Sequence, residues 1–431
     1  MMIEKMDTNF QRYWKGLRFQ LPTPIQESAF EPLKEGQDVV GLSPTGTGKT
    51  LAYALPLLER VKKQDGLQLV ILTPSQELGV QVGRVLTEWA ALLDLKVQTI
   101  IGGASAKRQI EKLKEKPEVV VGTPGRLMEL ANQRKLKLHQ VKTVVLDEAD
   151  YLLQDEHMSN LRDLIKKMPG QRQMAFFSAT TSHALDNISR WFNTDPIYLD
   201  TAREGGSQFN QTAHQYLFVE NRRRADQLRR LGNIKGMQAL VFVNSVQELD
   251  YLAEKMHFER ISVRMLHSDF SATQRKKALE EFRNGKVTFL LTTDVAARGM
   301  DIEDLPYVIN YDLPLSQDVY LHRAGRTGRM GKKGTVLSLV NERSRRDVKK
   351  FVPNPTEFEE VFLHAGKLVT ELPKVEEKAK VDAPKKVKEK PLAIEREARF
   401  ETNNDLKKDV KKNKKKNRAR SQKNKGARKK S

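Results

Sequence analysis

The feature that most constrains the fold is a glycine-rich turn at residues 43–48, between a short β-rich segment and a helix-like segment. The stretch reads Asp38-Val-Val-Gly-Leu-Ser-Pro-Thr-Gly-Thr-Gly-Lys-Thr. Leu51, Leu55 and Leu58 follow at helical spacing, which predicts an amphipathic helix directly after the turn. A turn of this kind suits a phosphate-binding loop, because backbone N–H groups and the helix N-terminus then face the same anion.

Each position of the turn has a chemical reason. Glycines let the backbone turn tightly and aim its N–H groups at phosphate oxygens. The following lysine would reach the β- and γ-phosphates, and the threonine after it would offer its hydroxyl to Mg²⁺. Ser43 stands where the general pattern has glycine, so the strict motif is missed by one residue. We expect the nucleotide to contact Thr45, Gly46, Thr47, Gly48, Lys49 and Thr50.

Two carboxylates about a hundred residues further on limit the reactions that a site at this loop could carry out. Val144-Val145-Leu146 is an apolar strand that ends in Asp147-Glu148. Asp147 suits the metal-side carboxylate, so Thr50 and Asp147 are the predicted Mg²⁺ ligands, and Glu148 suits the group that polarises the attacking water. An Asp-Glu pair alone is weak evidence for such a site, since the pair lies more often in a solvated turn. Combined with the lysine loop, it favours nucleoside triphosphate hydrolysis.

A second basic segment supplies the positive charge that phosphoryl transfer needs. His322-Arg-Ala-Gly-Arg-Thr-Gly-Arg has three arginines spaced by three residues. A basic surface loop is the plain alternative. Arginines that reach a γ-phosphate from a neighbouring domain raise turnover by roughly 10³–10⁵. The pattern therefore predicts a site that is complete only when two domains close.

Apolar runs alternate with helical patterns twice along the chain, which predicts two α/β domains with parallel sheets covered by helices on both faces. The predicted strands are 39–42, 69–72, 97–101, 119–121, 143–146, 174–177, 239–243, 262–266, 288–291, 307–310 and 335–339. The Gly205-Gly206 pair marks a break between the two sets. The predicted divisions are residues 1–35, a first domain 36–203, a linker 204–210, a second domain 211–372 and a tail 373–431, with a strand-like pattern in 358–372.

Charge and composition indicate the class of molecule that the chain binds. Lys and Arg number 76 against 55 acidic residues, and residues 411–431 hold twelve basic residues and no acidic one. Such an excess suggests binding to a polyanion, nucleic acid before membrane, although a solubilising tail remains an alternative. With few aromatic residues, the tail is predicted to be disordered. The absence of cysteine excludes disulfides, cysteine–zinc sites and thiol catalysis.

With these residues in place, the chain resembles the DEAD-box RNA helicases over residues 10–345, and Asp147-Glu148-Ala149-Asp150 is the motif that names the family. The resemblance implies two tandem RecA-like domains, with ATP and Mg²⁺ as ligands. It assigns catalytic roles to Lys49 and to the two carboxylates, adenine recognition to Phe19 and Gln26, and ribose binding to Asp301. In the arginine segment it makes Arg326 and Arg329 the two arginine fingers, with His322 coupling them to the Asp-Glu-Ala-Asp segment.

The resemblance also implies RNA contacts, mostly with the backbone and independent of sequence. They fall on Gly102, Gly103, Thr123, Arg126 and Thr293, and Ser178-Ala179-Thr180 resembles the motif that links hydrolysis to strand separation. One motif departs from the family: Pro-Thr-Arg-Glu-Leu-Ala appears as Pro74-Ser75-Gln76-Glu77-Leu78-Gly79. Gln76 replaces a cation beside the RNA, so the strength of RNA binding is an open question.

The expected activity is RNA-dependent ATP hydrolysis that locally unwinds RNA duplexes or remodels RNA–protein complexes. The alternatives are a DNA-directed helicase, an ATP-gated RNA clamp or annealer, and an RNA chaperone that acts without catalysis through the tail. The sequence looks like a bacterial member, with ribosome or RNA-decay components as expected partners. A cytoplasmic location is expected, since no secretory signal and no apolar run of membrane length is visible. A monomer is the default expectation, because the sequence does not indicate an oligomeric state.

Overall fold

The computed structural model describes residues 1–17, 21–181, 184–201, 211–267, 270–297, 305–328 and 333–372. Two seven-stranded sheets, each fully parallel, organise these residues. The strands of the first sheet are β1 Val39–Leu42, β2 Leu69–Leu72, β3 Val97–Ile100, β4 Val119–Gly122, β5 Thr143–Asp147, β6 Gln173–Ser178 and β7 Ile197–Asp200. Their order is β3-β4-β2-β5-β6-β1-β7.

The second sheet repeats this plan further along the chain. Its strands are β8 Gln211–Phe218, β9 Ala239–Phe242, β10 Val263–Leu266, β11 Phe289–Thr292, β12 Tyr307–Asn310, β13 Lys333–Val340 and β14 Phe358–Glu360, in the order β10-β11-β9-β12-β13-β8-β14. A small antiparallel pair, β15 Phe362–His364 and β16 Lys367–Val369, follows.

Helices connect the parallel strands. In the first half they are α1 Met2–Lys5, α2 Thr8–Gly16, α3 Pro24–Glu35, α4 Lys49–Leu58, α5 Gln76–Ala90, α6 Ala106–Leu113, α7 Pro124–Asn132, α8 Ala149–Leu152, α9 Asp155–Ile165 and α10 Ile188–Phe192. In the second half they are α11 Arg224–Gly232, α12 Val246–Phe258, α13 Ala272–Arg283, α14 Asp294–Ala297, α15 Gln317–Ala324 and α16 Glu342–Lys349.

Both faces of each sheet are buried, which explains the unbroken apolar runs in the sequence. In β2, Leu69 and Ile71 pack into the core on one face, whereas Val70 and Leu72 pack into the core on the other. Alternate residues of β9 divide between two cores in the same way. The α/β class with two parallel, helix-covered sheets is therefore confirmed.

All eleven predicted strands are present, with ends that differ by no more than two residues. The strands β7 and β8 were not predicted, because they flank the expected break and carry several polar residues. The strand-like pattern in 358–372 forms three short strands. The predicted linker 204–210 and tail 373–431 lie outside the described residues. Among the described residues, no helix is long and apolar enough to cross a membrane.

Candidate nucleotide and nucleic-acid site

The phosphate loop lies where the sequence predicts it, between the end of β1 and the first residue of α4. Gly46 and Gly48 have φ values of 82° and 80°, in the left-handed region that glycine adopts without strain. Gly48 directly precedes α4, so the N–H groups of the first helical turn face the loop. The loop therefore has the backbone geometry of an anion site.

Lys49 lies over the loop it follows. Its Nζ donates to the carbonyl oxygens of Ser43 at 2.7 Å and Pro44 at 3.0 Å. The Ser43 and Thr47 hydroxyls are 2.7 Å apart, and the Thr47 hydroxyl also donates to Pro44 O at 2.8 Å. These contacts hold the ammonium group at the loop, where phosphate oxygens can replace the two carbonyl acceptors.

Gln26, the predicted adenine reader, is buried against the loop. Its Oε1 accepts from Thr23 N at 2.9 Å, and its Nε2 donates to Gly48 O at 3.2 Å. Thr23 Oγ1 donates to Thr47 O at 2.7 Å. The amide of Gln26 still has a second donor and a second acceptor position, as adenine recognition requires. Phe19, predicted to stack on the base, lies outside the described residues.

Asp147 ends β5 beside the loop, and a residue that the sequence analysis missed positions it. Tyr53 of α4 is fully buried and donates from its hydroxyl to Asp147 Oδ2 at 2.8 Å. Glu148 N donates to the other oxygen, Oδ1, at 3.0 Å. Burial and the nearby Glu148 raise the pKa of Asp147 to about 6, although Tyr53 and Lys49 act in the opposite direction.

This environment fits a divalent cation. A buried carboxylate whose pKa is raised by a second carboxylate gains stability from a nearby positive charge. Magnesium sites of phosphoryl-transfer enzymes use one or two protein oxygens together with phosphates and water. Thr50 and Asp147 provide such a set, since both lie beside the Tyr53 hydroxyl. Among the described residues, no group of three or more His, Cys, Asp or Glu side chains is placed to hold a metal ion by itself.

Glu148 has an unusual backbone. Its φ of 49° and ψ of 53° place it in the left-handed region, directly between β5 and α8. Such a conformation costs a non-glycine residue of order 1 kcal/mol or more, and residues held this way cluster at functional sites.

A chain of polar contacts leads from α8 to the second sheet. Thr180 Oγ1 donates to Asp150 Oδ2 at 3.0 Å, and Ser178 Oγ donates to Thr180 O at 2.7 Å. His322 Nε2 of α15 lies 3.3 Å from Asp150 Oδ2. Burial alone would lower the pKa of His322, but Asp150 outweighs it and raises the pKa. Burial raises and His322 lowers the pKa of Asp150, with a net decrease.

The arginine segment also meets the phosphate loop. Gly325 ends α15 so close to Thr45 that a methyl group on it would overlap the Thr45 Oγ1. Arg326, a predicted arginine finger, follows directly and is buried. The structure therefore brings this segment of the second half against both the loop and Asp150. Arg329, the other predicted finger, and Asp301 lie outside the described residues.

Arg323, the first arginine of the segment, was not predicted to be a finger and lies within the second domain. It is buried, and its guanidinium donates to both Asp294 oxygens at 2.6 and 2.7 Å. It also donates to Asn310 Oδ1, Asp312 O and Asn244 Oδ1 at 2.6–3.0 Å. It thus joins segments that follow three different strands. The spacing of the arginines could not reveal this role, because all of its partners are remote in sequence.

One groove contains Thr123, which is a predicted RNA residue, whereas Gly102, Gly103 and Arg126 are not among the residues that line it. Gln76, Thr123 and Gly125 line it, and residues of the second half, among them Arg275 and Val295, complete it around a volume of about 440 Å³. Arg275 Nη2 lies 3.0 Å from Glu77 Oε1 across the groove. The side chain of Gln76 lies against Gly102 and Gly103. The groove is therefore built from both halves of the chain.

Two predicted RNA residues keep donors for a ligand. Arg126 pairs with Glu129 and donates from Nε to Gln109 Oε1 at 3.3 Å, but its buried Nη2 has no hydrogen-bond partner within the described part of the chain. Thr293 Oγ1 accepts from Ala296 N at 3.4 Å, so its hydroxyl proton can still be donated. Phosphate oxygens are suitable acceptors for both groups.

Comparison with known proteins decides the family. The DEAD/DEAH box helicase family matches residues 23–188, and the helicase conserved C-terminal domain matches residues 223–331. The probable ATP-dependent RNA helicase YfmL of Bacillus subtilis is 44% identical over 362 residues, which cover 84% of this chain and 96% of YfmL. The chain belongs to the DEAD-box ATP-dependent RNA helicases.

Two further relatives agree. The DEAD-box ATP-dependent RNA helicase CshC of Bacillus cereus is 39% identical over 381 residues, covering 88% of this chain and 97% of CshC. Among solved structures, S. cerevisiae Dbp5 bound to RNA and ADP BeF3 matches with a TM-score of 0.72 and 28% identity, covering 82% of this helicase and 93% of Dbp5. The two sheets of this helicase therefore form tandem RecA-like domains.

Proposed function

We propose that this helicase uses ATP hydrolysis between its two RecA-like domains to unwind RNA duplexes locally or to remodel RNA–protein complexes. The observation that carries the proposal is the meeting of the arginine segment with the first domain. Gly325 touches the phosphate-loop residue Thr45, and His322 touches Asp150. Residues that bind phosphate and residues that line the RNA groove therefore change together when the domains separate or close.

On the nucleotide side, Lys49 and the loop N–H groups bind the phosphates, and Gln26 reads adenine together with Phe19. Thr50 and Asp147 would hold Mg²⁺, which neutralises phosphate charge when it is bound. Glu148 accepts the proton of the attacking water. Arg326 and Arg329 stabilise the charge that develops on the γ-phosphate. Asp301 binds the ribose.

On the RNA side, the groove contacts phosphates and 2′-hydroxyls rather than base edges. Gly102 and Gly103 allow a close approach of the backbone, while Thr123, Arg126 and Thr293 supply donors. The donors left on Arg126 and Thr293 support this assignment. Closure around a bent strand would expel its partner strand, and hydrolysis would reopen the groove.

The test is ATP hydrolysis by the wild type and by Glu148→Gln, alone, with single-stranded RNA and with matched DNA, followed by strand displacement on an RNA duplex. We expect stimulation by RNA and not DNA, loss of turnover in Glu148→Gln, and displacement that requires ATP. Equal stimulation by DNA would overturn the RNA assignment. RNA-stimulated hydrolysis without displacement would identify an ATP-gated clamp or annealer, and displacement or annealing that survives Lys49→Ala would identify a chaperone.

The domain limits, the oligomeric state, the cellular location and the RNA targets are also proposals. We place the domain limits at 36–203 and 211–372, with residues 1–35 as the adenine-recognition region, 204–210 as the linker and 373–431 as a basic tail. We propose a cytoplasmic monomer whose RNA targets belong to the ribosome or to RNA decay. Analytical ultracentrifugation of the full chain tests the monomer, and crosslinking of RNA to Lys49→Ala and wild type in cells tests the targets.

A further inference from the structure

A basic surface with an exposed aromatic ring lies on the second domain, away from the groove. Phe218 ends β8, and its side chain is 38% exposed. Arg345 of α16 lies over Phe218, with its Cζ 5.5 Å from the ring centroid, and also over Tyr216 at 5.8 Å. Tyr216 packs edge-on against Phe218, with ring centroids 5.5 Å apart. We call this set the Phe218 platform.

The platform is rigid on its inner side. Tyr216 is buried and packs against Phe358 with centroids 4.7 Å apart. Arg345 Nη1 donates to the Tyr216 hydroxyl at 3.4 Å. Phe218 pairs with Val340 in the register between β8 and β13, directly before α16 begins. The aromatic ring and the guanidinium are therefore held in place, while Phe218 remains partly exposed to solvent.

Positive charge surrounds the platform. The loop 220–223 and the segment 342–350 together carry seven Lys or Arg residues and three acidic ones. The two segments are adjacent, since Asn341 Nδ2 donates to Asn221 Oδ1 at 3.2 Å. The side chains of Arg343, Arg346 and Lys349 are exposed and form no hydrogen bond or ion pair with any described residue. An aromatic face with unpaired cations beside it is the arrangement that binds single-stranded nucleic acid.

The location of the Phe218 platform is suitable for an RNA strand that continues from the groove. All strands of the second sheet are parallel, so β8 and β11 end at the same edge. Thr293 follows β11, and four strand spacings separate β11 from β8, a distance of about 19 Å along that edge. A few nucleotides can cover this distance.

We propose that the Phe218 platform is an accessory site for single-stranded RNA, where one base stacks on Phe218 and its neighbouring phosphates pair with Arg343, Arg346 and Lys349. The inference rests on the proposed RNA-binding function. It extends that function by giving the enzyme a preference for duplexes with a single-stranded extension. An acidic protein partner would use the same cations but would not need a planar ring.

The experiment measures RNA binding by the full chain with a non-hydrolysable ATP analogue. Two single-stranded RNAs are used, one of about six nucleotides that fills only the groove and one of about thirty that also reaches the platform. Phe218→Leu should weaken binding of the long RNA about five-fold and leave the short RNA unchanged, whereas Phe218→Trp should retain or improve it. Phe258→Leu, at an 86% exposed phenylalanine of α12, is the control.

The outcomes separate the two proposals. Wild-type protein that binds neither RNA would overturn the proposed function itself. Wild-type binding with no difference between Phe218→Leu and Phe258→Leu would overturn the platform alone, as would equal weakening of the short and the long RNA. Weakening by Arg343→Glu/Arg346→Glu but not by Phe218→Leu would identify an electrostatic surface without stacking, and would also overturn the proposal. Equal melting temperatures of the variants exclude unfolding as the cause.

Discussion

Replacement of Gly325 by alanine tests whether the arrangement of the two domains is the catalytic one. The added methyl group would overlap Thr45 Oγ1 and lie 3.0 Å from Thr45 Cβ. Rotation of the threonine hydroxyl alone does not relieve the second contact, because Cβ is fixed by the backbone. The backbone of Gly325 has a φ of −63°, which alanine adopts without strain. The expected effect therefore arises mainly at the domain contact, because the third near atom, Leu321 O of the same domain, lies farther away at 3.3 Å.

The expected loss of turnover follows from the free-energy cost of overpacking at the domain contact. An extra methyl group in a close contact costs roughly 1–3 kcal/mol. If this cost falls only on the closed arrangement, the closed population decreases by about 5- to 150-fold. We expect RNA-stimulated kcat to fall in this range, with little change in the thermal unfolding of either domain.

The assay compares steady-state ATPase rates of wild type, Gly325→Ala and Gly170→Ala at saturating RNA. Gly170 is a matched control, because a methyl group there meets no atom within 4 Å. Adding Thr45→Ala to Gly325→Ala removes the overlapping oxygen and should restore part of the turnover lost. Wild-type turnover in Gly325→Ala would refute the reasoning, since the observed contact would then be absent from the catalytic state.

Three further predictions concern other parts of the molecule. The ion pair of His322 with Asp150 requires a protonated imidazole and an ionised carboxylate. The raised pKa of His322 and the lowered pKa of Asp150 make it fully effective between about pH 4 and 6.5, and it is lost as the pH rises through the pKa of His322. ATPase measured from pH 6.5 to 8.5 should therefore fall more steeply in wild type than in His322→Gln, and parallel profiles would contradict this. Arg323→Lys should lower the free energy of unfolding in urea by about 3–5 kcal/mol, because a buried hydrogen-bonded network loses its planar donor. The control is Arg229→Lys, at an exposed pair with Asp226, which should change the free energy of unfolding by less than about 0.5 kcal/mol. Deletion of residues 373–431 should raise the RNA concentration for half-maximal ATPase and reduce its salt dependence while sparing the maximal rate, and an unchanged RNA requirement would exclude an RNA-binding role of the tail.

Local patterns in the sequence predicted the fold well, and for a physical reason. Strands buried on both faces must be continuously apolar, so segments such as Leu69–Leu72 are visible without any tertiary information. The phosphate loop was predictable for the same reason, because its glycines, lysine and helix start are neighbours in the chain. The roles of all the predicted site residues remain predictions, and Phe19, Asp301 and Arg329 also lie outside the described residues.

The missed residues act over long sequence separations. Tyr53 and Asp147 are 94 residues apart, and nothing in an apolar helix indicates that one tyrosine will hold a metal-side carboxylate. Arg323 resembles its two neighbours in the segment, but burial and partners from three strand ends give it a structural role. Such contacts depend on the topology of the sheet, which residue spacing does not encode.

The network around Arg323 has a thermodynamic consequence for the helicase cycle. It joins the segments after β9, β11 and β12 to α15, which also carries His322 at the domain contact. The network therefore joins the proposed RNA-facing and nucleotide-facing surfaces of the second domain. Coupling between two ligands through such a network is reciprocal, so the factor by which RNA tightens ATP binding must equal the factor by which ATP tightens RNA binding. A substitution that loosens this network would reduce both factors together.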